Sequence, residues 1–237
     1  MPNWLVRLKG EKFDLEDLPS LLRSPELNVI EENGSYYLKS SDFDSLSLAD
    51  EVRESAIAII DMLNGAMKLH IHNFRGVFED GVTLIKEEGS RPHYAYLRGS
   101  ITARSKTSAN LTATTSKGTQ QIAPRPSNVE SWLNLAKDDK AVADALHFFR
   151  ENTWINLYKV YEIIIDDVGK KDVIIRNGWV TKKGLRRFTQ TAQSRAALGD
   201  AARHACNKPP PPPQPMPFHE AESLIRGVLL SWFHSKA

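Results

Sequence analysis

The stretch TWINLYKVYEIIIDDVG, residues 153–169, decides how the second half of the chain is interpreted. Its apolar residues recur three and four positions apart, which places them on one face of an α-helix. Asn152 or Thr153 can cap the start of that helix, and Gly169 can end it. The sequence therefore predicts one long amphipathic helix at the centre of an all-α domain. Its buried face is expected to contain Trp154, Leu157, Tyr158, Tyr161, Ile164, Ile165 and Val168.

Start signals for other helices surround this central helix. Ser127-Asn128-Val129-Glu130 has the spacing of a capping box, and Asp138 or Asp139 can cap the helix that follows. Thr181 can cap a further helix, and residues 220–234 form an amphipathic segment that can pack on the central helix. We predict a helical domain over residues 128–237.

A proline-rich segment interrupts this domain at residues 208–217. Consecutive prolines exclude a helix and favour the extended polyproline conformation. We therefore expect a straight connection that leads to the last helix. Residues 104–127 are rich in Ser, Thr and Ala and carry basic but no acidic residues, so they are predicted to be a polar basic linker or long loop.

Residues 1–103 carry strand signals. Residues 4–8 read as an opening strand, and Asn33-Gly34 between residues 27–32 and 35–39 is typical of a hairpin with a type I′ turn. A single helix is predicted over residues 48–68, begun by a capping box at Ser47-Leu48-Ala49-Asp50. Further strands are expected at residues 68–78, 82–87 and 93–103. Together these elements predict an α+β domain, and the whole chain is assigned to the α+β class.

Composition and charge favour an ordinary soluble protein. The 237 residues have a net charge of +2, and no apolar run is long enough for a signal peptide or a membrane span. The single cysteine, Cys206, excludes an internal disulfide, so a cytoplasmic location and no membrane partner are expected. No cofactor motif is present. His70 and His72 would share a strand face as metal ligands could, but no third ligand lies near them, so no metal is expected.

Four cations gather at the predicted helix that begins after Thr181. Lys182 pairs with Arg186, and Lys183 pairs with Arg187, at a spacing of four residues. Like charges at that spacing repel, and phosphates, nearby acids or solvent would relieve the repulsion. One interpretation is a nucleic-acid-binding surface, and the other is a solvated helix face.

Arg203 and His204 precede the prolines and invite two interpretations. Both favour the C-terminal end of a helix, where a positive charge complements the helix dipole. Alternatively, His204 acts as a general acid or base and Arg203 holds a phosphate. In that case Glu162 and Asp166, which share a face of the central helix, would orient the imidazole.

The order of elements from Trp154 onward resembles the HEPN superfamily of helical RNA-directed nucleases and their inactive relatives. The resemblance rests on a long helix with the segment LYKVYE at residues 157–162, a helix that ends in Arg203-His204, and a final amphipathic helix. It implies RNA as a partner. The Arg and His of that family lie about four to six residues apart, whereas the two are adjacent here.

Two functions follow from these observations. The first is an RNA-directed HEPN-like protein, with or without metal-independent ribonuclease activity, in which residues 182–187 hold the RNA. The second is a non-enzymatic interaction or scaffold protein, in which the helical domain binds another protein or a second copy of itself.

Overall fold

A computed structural model describes residues 3–96, 128–151, 153–204 and 210–236. An antiparallel sheet of five strands, in the order β2-β3-β1-β4-β5, is followed along the chain by a helical region, which confirms the α+β class. The strands are β1 (Asn3–Gly10), β2 (Leu27–Glu32), β3 (Ser35–Ser40), β4 (Val77–Ile85) and β5 (His93–Tyr94). The helices are α1 (Lys12–Leu21), α2 (Ala49–His70), α3 (Val129–Asp138), α4 (Lys140–Phe149), α5 (Trp154–Val168), α6 (Lys171–Arg176), α7 (Lys182–Gln193), α8 (Arg195–Leu198) and α9 (Phe218–Lys236).

The hairpin of β2 and β3 has the predicted turn. Asn33 and Gly34 both have positive φ, 51° and 73°, as a type I′ turn requires. This turn fixes the register, in which Glu32 faces Ser35 and Val29 faces Leu38. Val29 and Leu38 are both buried, so the turn and the hydrophobic pattern specify the same pairing.

The predictions between residues 11 and 78 need three corrections. Residues 12–21 form α1, so this part of the chain has two helices rather than one. The strand predicted over residues 68–78 is wrong, because α2 continues to His70 and β4 begins only at Val77. The start of α2 is capped by Glu51 rather than Asp50, since the Glu51 carboxylate accepts a hydrogen bond from the backbone N–H of Leu48 at 3.2 Å.

The sheet and the helical region share a continuous hydrophobic core. Helix α2 lies between β4 and helices α3 and α4. Gly65 permits a close crossing, because a Cβ at this position would lie 2.1 Å from the carbonyl oxygen of Leu146 on α4. The Glu130 carboxylate on α3 accepts hydrogen bonds from the backbone N–H groups of Arg23 and Ser24. The two predicted domains are therefore in extensive contact.

Several helix caps in the helical region are formed by the residues that the sequence predicts. Asp139 accepts hydrogen bonds from the N–H groups of Ala141 and Val142, and Thr153 and Thr181 cap α5 and α7 in the same way. Gly169 ends α5 with a φ of 84°. The predicted cap residue Ser127, the 104–127 segment and the 97–103 part of the last predicted strand lie outside the described residues.

Helix α9 packs on α5, as predicted, and also stabilises the acidic end of α5. Asp167 accepts hydrogen bonds from the indole N–H of Trp232 at 2.8 Å and from the ammonium of Lys236 at 2.8 Å. Negative charge at a helix C-terminus is unfavourable, and these two donors offset it. In the part of the chain that the structure describes, the ion pair with Asp167 comes from α9, whereas Lys170, Lys171 and Arg176, which lie nearer in sequence, form none with it.

The described part of the proline-rich segment, residues 210–217, is not straight. The chain bends at Pro213 and Gln214, and Pro212 is buried. The backbone N–H of Met216 donates to the hydroxyl of Thr191 on α7 at 3.0 Å. The segment is thus held against α7 before α9 begins.

Candidate nucleic-acid interface

Two tyrosines of α5 form the base of the candidate site. Tyr158 and Tyr161 pack against Phe188 of α7, with ring centroids 6.0 Å from Phe188 in both cases. The amide of Gln193 donates a hydrogen bond to the Tyr158 hydroxyl. Burial, and to a lesser degree the neighbouring Tyr158 and Glu162, raise the pKa of Tyr161. Both rings are therefore fixed parts of the helix interface, with little of either face left open.

A groove of about 340 Å³ opens beside these tyrosines, between α5, α6 and α7. Three of its lining residues are cations, Lys171 from α6 and Lys182 and Arg186 from α7. All three are exposed, and within the described residues no carboxylate forms an ion pair with any of them. The groove also offers hydrogen-bonding side chains from α7. We name it the basic groove; its other lining residues are Tyr158, Tyr161, Asp172, Ile175, Leu185, Thr189 and Gln193.

The four predicted cations of α7 fall into three environments. Lys182 and Arg186 line the basic groove, and Lys183 is exposed outside the groove lining. Arg187 instead donates hydrogen bonds to the carbonyl oxygens of Gln214 and Pro215 and to the Glu220 carboxylate, at 2.8, 3.2 and 2.7 Å. Arg187 is therefore a tether for the proline-rich segment, while Lys182 and Arg186 are left to face solvent.

A second depression beside Tyr158 is lined by Glu162 and Asp166. The Arg203 guanidinium forms an ion pair with Glu162 at 2.6 Å and lies over the Tyr158 ring, 4.7 Å from its centroid. A charged pair that also stacks on an aromatic face is oriented by both contacts. The structure thus brings together two of the four predicted catalytic residues, Arg203 and Glu162, with Asp166 one turn further along α5.

The surroundings of His204 differ from those of Arg203. The pair does not end a helix, because α8 and a 3₁₀ turn at Gly199–Ala201 finish earlier and the chain is extended at Ala202. The backbone N–H of Arg203 donates to the Ala192 carbonyl at 2.9 Å. His204 is half-buried, and it does not line the depression that contains Glu162 and Asp166. Glu162 binds Arg203, whereas the sequence predicted that it would orient the imidazole. A catalytic role for His204 remains a prediction.

Lys171 is the cation of the groove that was not among the candidate binding residues of the sequence. It lies on α6 and lines the basic groove together with two cations of α7. The signal in the sequence was the density of basic residues on both sides of the turn between α6 and α7. Sequence spacing alone could not indicate that two short helices would face each other across a groove.

The candidate metal ligands of the sequence do not come together in the structure. Residues 3–96, 128–151, 153–204 and 210–236 contain no group of three or more His, Cys, Asp or Glu side chains that could hold a metal ion. His70 ends α2 and His72 follows in a turn, so the two do not share a strand. In the same part of the chain, every helix is too short or too polar to cross a membrane.

Comparisons with protein-family models, with curated proteins and with solved structures find no match to the chain.

Proposed function

We propose that the chain is an RNA-binding protein that holds the phosphates of a single strand in the basic groove. The observation that carries the proposal is the convergence of Lys171, Lys182 and Arg186, from two helices, on one groove without ion-pair partners among the described residues. Unpaired cations that repel each other gain most when an anion binds between them.

The shape of the groove favours backbone contacts over recognition of bases. Tyr158 and Tyr161 are packed against Phe188 and have little free face on which a base could stack. Phosphate contacts position a nucleic acid without reading its sequence. The proposed binding is therefore electrostatic, strongly dependent on salt and largely independent of sequence.

Binding fits the geometry better than cleavage. Arg203, the group assigned to a phosphate in the ribonuclease hypothesis, is engaged by Glu162 and by the Tyr158 ring. His204 lines neither the basic groove nor the depression beside it.

A fluorescence anisotropy titration with a labelled single-stranded RNA oligonucleotide tests the proposal. Each phosphate contact contributes about 0.7 to the slope of log K against log salt for a single strand. The double variant Lys182→Gln/Arg186→Gln should weaken binding and flatten that slope by about 1.4. The matched control is Lys9→Gln/Lys137→Gln, which removes the same charge from exposed positions on β1 and α3 and should leave the slope nearly unchanged.

Three results decide between the hypotheses. Equal losses in the groove variant and the control would show that the affinity comes from net charge and would contradict the basic groove. If the wild-type protein does not bind RNA at low salt, the RNA proposal fails, and the interaction or scaffold function is the hypothesis that remains. If the wild type cuts RNA in EDTA and His204→Ala abolishes the cutting while keeping the fold, the ribonuclease hypothesis is supported instead.

A further inference from the structure

A second cleft, far from the basic groove in sequence, contains a buried lysine. It has a volume of about 360 Å³ and lies between α2, the Phe74–Glu79 segment and the end of α4. Asp61, Asn64 and Lys68 follow one stripe of α2 along its wall. We name it the Lys68 cleft; its apolar lining residues are Ile57, Ile60, Phe74, Val77 and Phe78.

Lys68 is only 8% exposed, although it lines the cleft. Its ammonium donates a long hydrogen bond, 3.4 Å, to the carbonyl oxygen of Arg150. Burial lowers the pKa of Lys68, and the guanidinium of Arg226 on α9 lowers it further. The carboxylates of Glu222 on α9 and Glu151 after α4 act in the opposite direction. The balance favours a larger fraction of neutral amine than an exposed lysine has.

The other charged groups around the cleft have charged partners. Arg150 forms an ion pair with Asp61, and Arg53 forms one with the buried Glu79 at 2.9 Å. Within the described residues, no carboxylate lies within ion-pair distance of the Lys68 ammonium. Lys68 is therefore the buried charged group of the cleft that has only a carbonyl oxygen to bind.

Arg75 lies at the rim of the cleft and supplies a second attachment point. It pairs with Glu11 at 3.3 Å, and more than half of each of these two side chains is exposed. Exposed pairs of this kind contribute little and exchange readily. An incoming anionic group can therefore replace Glu11 as the partner of Arg75 without a large loss of free energy.

We propose that the Lys68 cleft is a covalent binding site for a small oxo acid, whose carbonyl carbon bonds to the Lys68 amine and whose acid group binds Arg75. The Lys68 ammonium first releases a proton to solvent, and the neutral nitrogen then attacks the carbonyl carbon. The carbonyl oxygen takes up one proton from the nitrogen and one from solvent and leaves as water, and a protonated imine, which keeps the second proton of the amine, remains. No oxidant or reductant takes part in this step.

Reductive trapping on the full-length protein tests the site. The protein is incubated with glyoxylate and cyanoborohydride, which reduces the imine to a stable adduct, and labelled lysines are located by peptide mass spectrometry. Near pH 7, Lys68 should be labelled several-fold faster than Lys86, an exposed lysine in the loop after β4. The ratio of the Lys68 labelling rate to the Lys86 labelling rate should fall as the pH rises, because Lys86 then loses its proton as well. Labelling of Lys68 no faster than Lys86 near pH 7 overturns the proposal.

Two variants separate chemistry from structure. Lys68→Arg keeps a positive charge and a donor for the Arg150 carbonyl, and it should lose the label at this position. Glu222 is 4% exposed, and no group of the described residues forms a hydrogen bond with one of its oxygens, so Glu222→Gln should preserve the packing. It removes a carboxylate that raises the pKa of Lys68, and the labelling midpoint should therefore shift to lower pH. An unchanged midpoint in Glu222→Gln, with the fold intact, contradicts the proposed surroundings of the amine.

Discussion

The charged side chains of the Lys68 cleft and of the basic groove differ in burial and in pairing. In the cleft, charges are buried or paired, as in the Arg53–Glu79 pair, where Glu79 is 3% exposed. In the basic groove, Lys171, Lys182 and Arg186 are exposed, and the described residues provide no ion-pair partner for them. Burial makes a charge dependent on its partner, whereas an exposed charge is solvated without one. Removing one member of a buried pair should therefore reduce stability at the cleft, and removing an exposed cation should reduce ligand binding at the groove.

The largest expected effect is the loss of the Glu79 carboxylate. Glu79→Ala removes the acceptor of two hydrogen bonds from Arg53, at 3.1 and 2.9 Å, and leaves the guanidinium partly buried without it. Breaking a buried ion pair in this way costs about 3 kcal/mol or more. Urea unfolding of the variant and the wild type measures this cost.

The matched acid in the basic groove is Asp172, which is exposed. Asp172→Ala should change the free energy of unfolding by less than about 0.5 kcal/mol. Similar losses for Asp172→Ala and Glu79→Ala would remove the distinction between the cleft and the groove.

Arg187 tests whether the distinction also holds within one helix. Arg187→Gln should lower the free energy of unfolding by about 1.5–3 kcal/mol, because charge-assisted hydrogen bonds to Glu220 and to two backbone carbonyls are lost. Lys183→Gln, which removes an exposed charge one turn earlier on α7, should have almost no effect on unfolding. If the two variants are equally stable in chemical denaturation, Arg187 is not a tether.

The sequence predicted those features that depend on neighbouring residues. The turn at Asn33-Gly34, the caps at Thr153 and Thr181, and the end of α5 at Gly169 each need only local geometry, and all were confirmed. Helix α1 was missed because Pro19 lies inside it and its apolar pattern is weak. The strand predicted from residue 68 onward was wrong because α2 continues to His70, where Arg226 of α9, remote in sequence, donates hydrogen bonds to the carbonyl oxygens of Lys68 and Leu69.

The candidate sites depend on contacts between residues far apart in sequence, which the sequence pattern does not show. The sequence spacing gave Lys183 and Arg187 the same candidate role, nucleic-acid binding. In the structure, Arg187 instead contacts residues 27, 28 and 33 positions away. Arg203 and Glu162 were both candidates, but their direct pairing depends on how α5 lies against the turn after α8. Nothing in the sequence near Lys68 indicated burial of its amine, since the partners that surround it come from α4 and α9.

A smaller effect, specific to the cleft, is expected in how the free energy of unfolding depends on pH. The pKa of Lys68 in the folded protein is lowered from the ordinary value of 10.5. Below the lowered pKa both states carry the proton, so the cost of burying the charge is present in full. Between the lowered pKa and 10.5 the unfolded state binds more protons, and the free energy of unfolding therefore rises with pH.

Lys68→Met lacks this contribution. The free energy of unfolding of the wild type minus that of Lys68→Met should therefore rise with pH over that window, as measured by urea titrations at a series of pH values. Taking the difference cancels the titration of groups common to both proteins. A difference that stays constant up to pH 10.5 would mean that Lys68 is solvated in the folded protein and that the cleft resembles the basic groove.

The smallest expected effect on stability belongs to the groove itself. Lys182 and Arg186 lie four residues apart on α7, and like charges at that spacing destabilise a helix by about 0.2–0.5 kcal/mol. Lys182→Gln/Arg186→Gln should therefore raise the free energy of unfolding by a few tenths of a kcal/mol, while the same variant loses RNA affinity. Thermal unfolding at low and at high salt measures the gain, which should shrink as salt screens the repulsion. Two residues that lower stability but support ligand binding are expected at a binding site. If the double variant is instead less stable than the wild type, both cations stabilise the fold.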